Sequence, residues 1–257
     1  VLTVVKIGGA LLRGESALPA VARSIAALPG EAVVVHGGGP EITTWQERLG
    51  LPVEWRDGLR VTSAASVQVA AMVLTGWVNK RIVSALLDVG HLALGVSGED
   101  GRLIEAVRKE GGRLGEVGEV ATVNAALLRS LLSVGITPVL SPISRGPGGV
   151  PLNVNADEIA IAVAAALPAT RLLLVSDVPG VLSDGVVIPR LTAADAEGLV
   201  ESGAVSGGMM VKVRQALVAA SAGVEVRIGG GDLLDDPQAG TRIVPSGAPA
   251  EPAEALS

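Results

Sequence analysis

The stretch Ala32-Val33-Val34-Val35-His36-Gly37-Gly38-Gly39-Pro40 reads as a buried strand that turns straight into a helix. β-branched residues favour the extended chain, and Pro40 suits the first helical turn, where no N–H is needed. A strand apolar on both faces belongs between two layers of helix, which points to a parallel sheet. The same grammar recurs along the chain. Strands are expected over 2–7, 32–36, 91–96, 136–140, 171–175 and 224–228, and helices over 15–28, 40–49, 63–88, 123–134, 156–167, 193–201 and 208–222. Such alternation specifies an α/β fold, here a three-layer α/β/α sandwich with a mainly parallel central sheet. Two stretches break the rhythm. Residues 51–62 read as a hairpin turning at Asp57-Gly58, and 102–120 as paired strands around Gly111-Gly112. The Pro/Ala/Gly-rich tail over 245–257 is expected to be disordered.

Composition narrows the function. The 257 residues are 49% hydrophobic and 18% charged, the make-up of an ordered globular chain. A net charge of -6 argues against a nucleic acid or an anionic membrane as partner. The absence of cysteine excludes disulfides, thiolate metal sites and cysteine nucleophiles. With no signal peptide before the first strand and no apolar run long enough to cross a bilayer, the expected location is the cytoplasm.

Four glycine- or asparagine-marked junctions carry the candidate chemistry. Lys6-Ile7-Gly8-Gly9 closes the first strand, and His36-Gly37-Gly38-Gly39-Pro40 joins the second to its helix. In both, glycine lets the backbone approach a ligand, and the following helix end is expected to offer unpaired N–H groups to an anion. Gly207-Gly208-Met209-Met210-Val211-Lys212 places a lysine about one turn into a helix. Only four of the 20 basic residues are lysines (6, 80, 109 and 212), and two of these sit at glycine-rich turns. A chain so biased towards arginine keeps lysine where a compact point charge serves better than a planar fork. Lys109, in Arg108-Lys109-Glu110, reads as an ordinary surface residue. Lys6 lies in an apolar strand and requires an anionic partner. At Asn153-Val154-Asn155-Ala156-Asp157-Glu158, Asn155 is a plausible N-cap and Glu158 a capping-box partner. Asp157 is free to hold two lysines in place.

Other chemistries fail on their motifs. The triple glycine after His36 matches an oxyanion-hole signature, but no G-x-S-x-G elbow accompanies it: Gly95-Val96-Ser97-Gly98-Glu99 lacks the second glycine. There is neither a G-x-G-x-x-G nor a G-x-x-x-x-G-K-[ST] element. Two scattered histidines cannot build a transition-metal site, so no protein-held metal is expected.

In their order, these segments resemble the amino-acid kinase family, over roughly residues 2–244. Besides the four junctions, the match includes Asp57-Gly-Leu-Arg-Val-Thr62, Val78-Asn-Lys80, Ser176-Asp-Val-Pro-Gly-Val-Leu182 and Gly240-Thr-Arg-Ile243. The resemblance is to the branch that phosphorylates the γ-carboxylate of N-acetyl-L-glutamate in arginine biosynthesis. It implies ATP with Mg2+ carried mainly on the nucleotide phosphates, and a homodimer. Lys6 and Lys212 would stabilise the phosphoryl group in flight, with Asp157 orienting both. The amides of Gly38 and Gly39 would bind the acceptor carboxylate and phosphoryl oxygens, and Arg60 and Asn153 the amino-acid end. Gly8, Gly9, Asp177, Val178, Pro179, Gly180, Val181 and Leu182, with Ala204, Val205 and Ser206, would hold ATP. Two lobes follow, 1–168 for the acceptor and dimerisation and 169–244 for the nucleotide.

Two features depart from the family pattern. The last helix before Gly240 is shortened, with Gly229-Gly230-Gly231 and Asp235-Asp236-Pro237 in its place. The chain opens on its first strand, which within the family implies a dimer insensitive to arginine rather than an arginine-inhibited hexamer. Alternative readings are a sister kinase acting on carrier-protein-bound aminoadipate or glutamate, and a non-catalytic nucleotide-binding member of the fold. The intact Gly58–Thr62 segment favours the free metabolite, and the retained Lys6, Asp157 and Lys212 favour an enzyme. Of the three tryptophans, Trp45 and Trp77 are expected to be packed on helices and Trp55 to lie on the hairpin over the substrate.

Overall fold

The computed structural model describes residues 1–12, 17–56, 59–201, 207–236 and 238–245. Eight strands form one sheet in the order Arg190–Thr192, Thr241–Val244, Glu225–Gly229, Arg171–Val175, Leu2–Ile7, Glu31–His36, Thr137–Ser141 and Ala93–Ser97. Every neighbouring pair is parallel except Glu225–Gly229 with Thr241–Val244. The six strands expected from the sequence are all present. The two additional strands are too short to show a period in the sequence.

Alternation along the central strands sorts side chains to the two faces. Val4, Val33 and Val35 enter one buried cluster with Ile159, Ala160 and Val163 of the helix Ala156–Ala166. Val5, Ile7 and Val34 enter another with Ile25, Leu74 and Leu86. The two cores are therefore the two faces of one sheet, each covered by helices, as a three-layer sandwich requires.

The excursions take definite forms. Ile104–Arg108 pairs antiparallel with Val117–Val123, as expected. Two short strands that the sequence reading missed, Ile143–Arg145 and Pro151–Val154, close this pair into a small barrel. Glu54–Arg56 and Leu59–Val61 form the hairpin, whose turn at 57–58 lies outside the described residues, as does the tail over 246–257. The base of the hairpin is tied to the barrel, where Thr62 N donates to Leu114 O at 2.9 Å and Thr62 O accepts from Glu116 N at 2.7 Å.

The helix expected over 63–88 is continuous but not uniform. Ser63 caps Ala64–Ala71 by accepting Ser66 N at 3.1 Å, a π-helical segment covers Met72–Val78, and α-helix resumes over Asn79–Asp88. A π insertion rotates the residues beyond it relative to those before it, and such insertions cluster at functional sites.

Candidate active site

The C-terminal ends of Leu2–Ile7 and Glu31–His36 lie side by side, with Ile7 opposite His36. Their glycine turns pack on each other. Gly37 N donates to Ile7 O at 2.9 Å, and a Cβ on Gly9 would stand 3.1 Å from the backbone of Gly38 and 3.0 Å from Pro40. Glycine is needed at Gly9 for this close approach. The turns form one wall of a cleft of about 260 Å3, whose lining includes Lys6, Gly37, Gly38, Gly39, Arg60 and Asn153. No backbone acceptor meets the N–H of Gly38 or Gly39 among the described residues.

Lys6, Asp157 and Lys212 come from three separate elements and meet. Asp157 Oδ1 lies 2.8 Å from Lys6 Nζ, and Oδ2 lies 2.8 Å from Lys212 Nζ. All three side chains are nearly buried. Asn155 caps the Ala156–Ala166 helix by accepting Asp157 N at 2.8 Å, which fixes the first turn that carries the carboxylate. Burial alone would push that carboxyl up, but the two ammonium groups outweigh it and hold the pKa at about 2. Burial pulls the Lys212 ammonium down, with Asp157 opposing and Lys6 adding to the fall. One carboxylate between two ammonium ions leaves a net positive charge out of water. Such a charge is costly unless an anion joins it.

The other end of the cleft is built around Arg60, also buried. Its guanidinium donates to Gln46 Oε1 at 2.7 Å, Thr43 Oγ1 at 2.6 Å and Gly39 O at 3.1 Å, and it lies 4.6 Å from the centre of the Trp55 ring. None of these partners is an acid. Burial depresses its pKa. Gln46, fully buried and braced on Ser66, is a supporting residue that the sequence reading missed, because a lone glutamine in a helix carries no signal.

Two expectations are corrected here. Lys109 is not an ordinary surface residue: it lines the cleft and pairs with Glu158 at 3.4 Å. Glu158 completes no capping box, since its carboxylate accepts Val120 N at 2.7 Å and so fastens the barrel to the helix. Asn153, at the end of Pro151–Val154, does line the cleft.

Of the residues assigned to ATP, Gly8 donates to Val175 O at 2.9 Å and Gly9 lines the same cleft as Lys6 and Arg60. Asp177 and Pro179 are exposed, Val178 and Leu182 half-buried, and Gly180 and Val181 buried. Val181 N is held by Thr241 Oγ1 at 2.8 Å, and a Cβ on Gly180 would strike Thr241 Oγ1 at 2.8 Å and Val187 at 2.7 Å. The glycines at 229–231 stand beside this loop, with Ser176 N donating to Gly229 O at 2.8 Å. Ala204, Val205 and Ser206 lie outside the described residues.

A glycine-lined cleft at the strand ends of such a sheet, flanked by a bridged lysine pair, is the arrangement of a carboxylate or phosphate kinase. The chain belongs to the amino acid kinase family, whose family model matches residues 1–230. It is 46% identical over 231 residues to an acetylglutamate kinase of Chloroflexus aurantiacus, covering 88% of this chain and 91% of that protein. It is 47% identical over 223 residues to an acetylglutamate kinase of Roseiflexus sp., covering 86% of this chain and 85% of that one. Among solved structures, smu.665 from Streptococcus mutans UA159 superposes with a TM-score of 0.84 at 30% identity, covering 95% of this chain and 98% of that one.

Proposed function

We propose that this chain transfers the γ-phosphoryl group of ATP to the γ-carboxylate of N-acetyl-L-glutamate, giving an acyl phosphate and ADP in arginine biosynthesis. The observation that carries this reading is the pair of positive charges, uncompensated among the described residues, at the two ends of one cleft. One is the net charge on Lys6, Asp157 and Lys212, and the other is Arg60. An acceptor with two carboxylates meets both.

In the reaction, a carboxylate oxygen attacks the γ-phosphorus, the bond to the β–γ bridging oxygen breaks, and ADP leaves. The attacking group is already ionised, so no general base is needed. Catalysis reduces to positioning and charge stabilisation. Lys6 and Lys212 face the three phosphoryl oxygens, and Asp157 keeps two like charges close without dispersing them. The amides of Gly38 and Gly39 bind oxygens at the reacting end. Arg60 forks onto the α-carboxylate, and the Asn153 amide holds the N-acetyl end. Residues 177–182 and 204–206 hold the nucleotide, so that residues 1–168 serve the acceptor and 169–244 serve ATP.

Among the described residues, those lining the cleft include no carboxylate, and both oxygens of Asp157 are engaged by lysines. Magnesium would therefore be carried by the nucleotide phosphates, where it neutralises β- and γ-oxygen charge. No helix among the described residues is long and apolar enough to cross a membrane. With no cysteine to exploit an oxidising compartment, the cytoplasm is the proposed location. A homodimer is proposed through the open sheet edge Ala93–Ser97 and the helix beside it, where Leu94, Met72 and Trp77 are exposed. Light scattering at the monomer mass would overturn the dimer.

A coupled assay of ADP release tests the activity, with acetylglutamate, glutamate and aspartate offered separately. Release that depends on acetylglutamate is expected. ADP release indifferent to the acceptor would refute the reading.

A further inference from the structure

We propose that His36 and Asn79 are positioning residues that turn the Gly38 N–H into the cleft, towards the transferred phosphoryl group. The last clause rests on the function proposed above, while the geometry of the loop does not.

His36 is fully buried and immediately precedes the glycine turn. Its Nδ1 lies 2.8 Å from Gly37 O and its Nε2 lies 3.2 Å from Asn79 Nδ2. The orientation of the Asn79 amide is fixed twice over. Its nitrogen lies 2.8 Å from Val139 O, which can only accept, and its oxygen lies 3.3 Å from Lys80 Nζ, which can only donate. The nitrogen turned towards His36 is therefore a donor, and Nε2 must accept. This leaves the single ring proton on Nδ1, where it is donated to the Gly37 carbonyl. Burial, opposed by that hydrogen bond, brings the imidazole pKa down to about 4, so near neutral pH the ring is uncharged.

The consequence follows from peptide geometry. In a planar trans unit the carbonyl of Gly37 and the N–H of Gly38 point to opposite sides. Drawing the carbonyl onto the His36 ring turns the N–H the other way. Gly37, Gly38 and Gly39 all line the cleft, and the Gly38 N–H has no backbone acceptor among the described residues. The far side of the loop is fixed as well, since a Cβ on Gly38 would lie 2.5 Å from Leu74 Cδ2. Leu74 sits in the π segment Met72–Val78, and Asn79 opens the α-helix after it. One helix thus holds the loop at two points. A buried histidine and asparagine cost stability unless every polar atom is matched, and here the matches all converge on the orientation of one peptide.

The test has a spectroscopic and a kinetic arm. Nitrogen-15 NMR of the histidine-labelled wild type, which has only two histidines, reads the tautomer directly, with His36→Asn assigning the signals by difference. An Nδ1–H tautomer for His36 is expected, and an Nε2–H tautomer would overturn the proposal without recourse to any other variant's folding. In the kinetic arm, His36→Leu should lower kcat by about a hundredfold, the loss typical of a misplaced donor, with both KM values held within about threefold. His36→Asn, whose amide nitrogen overlays Nδ1, should recover at least about a tenth of the wild-type kcat. An unchanged kcat in His36→Leu, or a folded His36→Asn as impaired as the leucine variant, would overturn the positioning role. If the wild type fails to phosphorylate acetylglutamate, the proposed function falls, and the tautomer separately decides the geometry of the loop.

Discussion

Arg60 stacks on Trp55, its guanidinium carbon 4.6 Å from the ring centre, while its nitrogens are held by Gln46, Thr43 and the Gly39 carbonyl. The cation is thus aimed from both sides before any substrate arrives. Pre-orientation of this kind lowers the entropy lost on binding, and it makes lysine a poor substitute for the planar fork. Arg60→Lys and Arg60→Ala should both raise the KM for acetylglutamate, by tenfold or more for alanine, since hydrogen bonds to a charge contribute about 1.5–3 kcal/mol. The KM for ATP should stay within about twofold. A rise in the ATP constant alone would mean that the two ends of the cleft have been assigned the wrong way round.

Lys212 should behave differently, because in the proposed mechanism its contact matters most when phosphoryl charge is in transit. Lys212→Ala should lower kcat by a factor equivalent to about 3 kcal/mol, with a much smaller change in the KM for acetylglutamate. The loss should not be recovered by Lys212→Arg, whose fork cannot replace a point charge 2.8 Å from Asp157 in a nearly buried site. Unchanged turnover in the alanine variant would remove Lys212 from the mechanism.

These two sites were unequally legible in the sequence. The bridged lysines could be read because charge in an apolar strand demands a partner, and Lys6 and Lys212 were two of only four lysines. The supports of Arg60 could not. Gln46 and Thr43 become partners only when the hairpin that follows their helix folds back over it, and a propensity scale holds no trace of that. Lys109 was misread for the same reason, since its pairing with Glu158 depends on how the small barrel closes. The six long strands were evident from their β-branched runs. The strands closing the barrel have three and four residues, too few for a period to emerge. The π segment, by contrast, left no mark in a run that reads as ordinary helix.

Two buried groups, His36 and Asp157, should contribute to a loss of stability in acid. The pKa of His36 falls from 6.5 in the unfolded chain to about 4 in the fold, so between these values the unfolded state binds the additional proton. Stability present above pH 6.5 is lost as the pH falls towards 4, by up to ~3 kcal/mol. Asp157, lowered from 3.8 to about 2, extends the loss below pH 4. Urea midpoints at pH 7 and pH 4.5 should therefore differ more in the wild type than in His36→Asn, which has no imidazole at this position to titrate. Equal differences in the two proteins would show that His36 carries no such linkage.

The tryptophans offer a direct view of acceptor binding, because the chain has neither tyrosine nor phenylalanine. Trp45 and Trp77 were expected to be packed, yet they are 39% and 56% exposed, and each has an arginine over its ring, Arg48 and Arg81 respectively. Helix position had suggested burial, but both indoles face outward. Trp55 is 59% exposed and is the tryptophan that lines the cleft. Under the proposed function its indole should exchange water for ligand when the cleft fills, while the other two keep their surroundings. Acetylglutamate should shift the emission to shorter wavelength and ATP alone should shift it much less. Trp55→Leu should abolish that response. The same variant should raise the KM for acetylglutamate a few-fold, because the stack on Arg60 contributes about 0.5–1 kcal/mol at an exposed site. Its kcat should change little, since the indole meets no reacting atom. A full substrate response in Trp55→Leu would assign the signal to another tryptophan and separate Trp55 from the acceptor site.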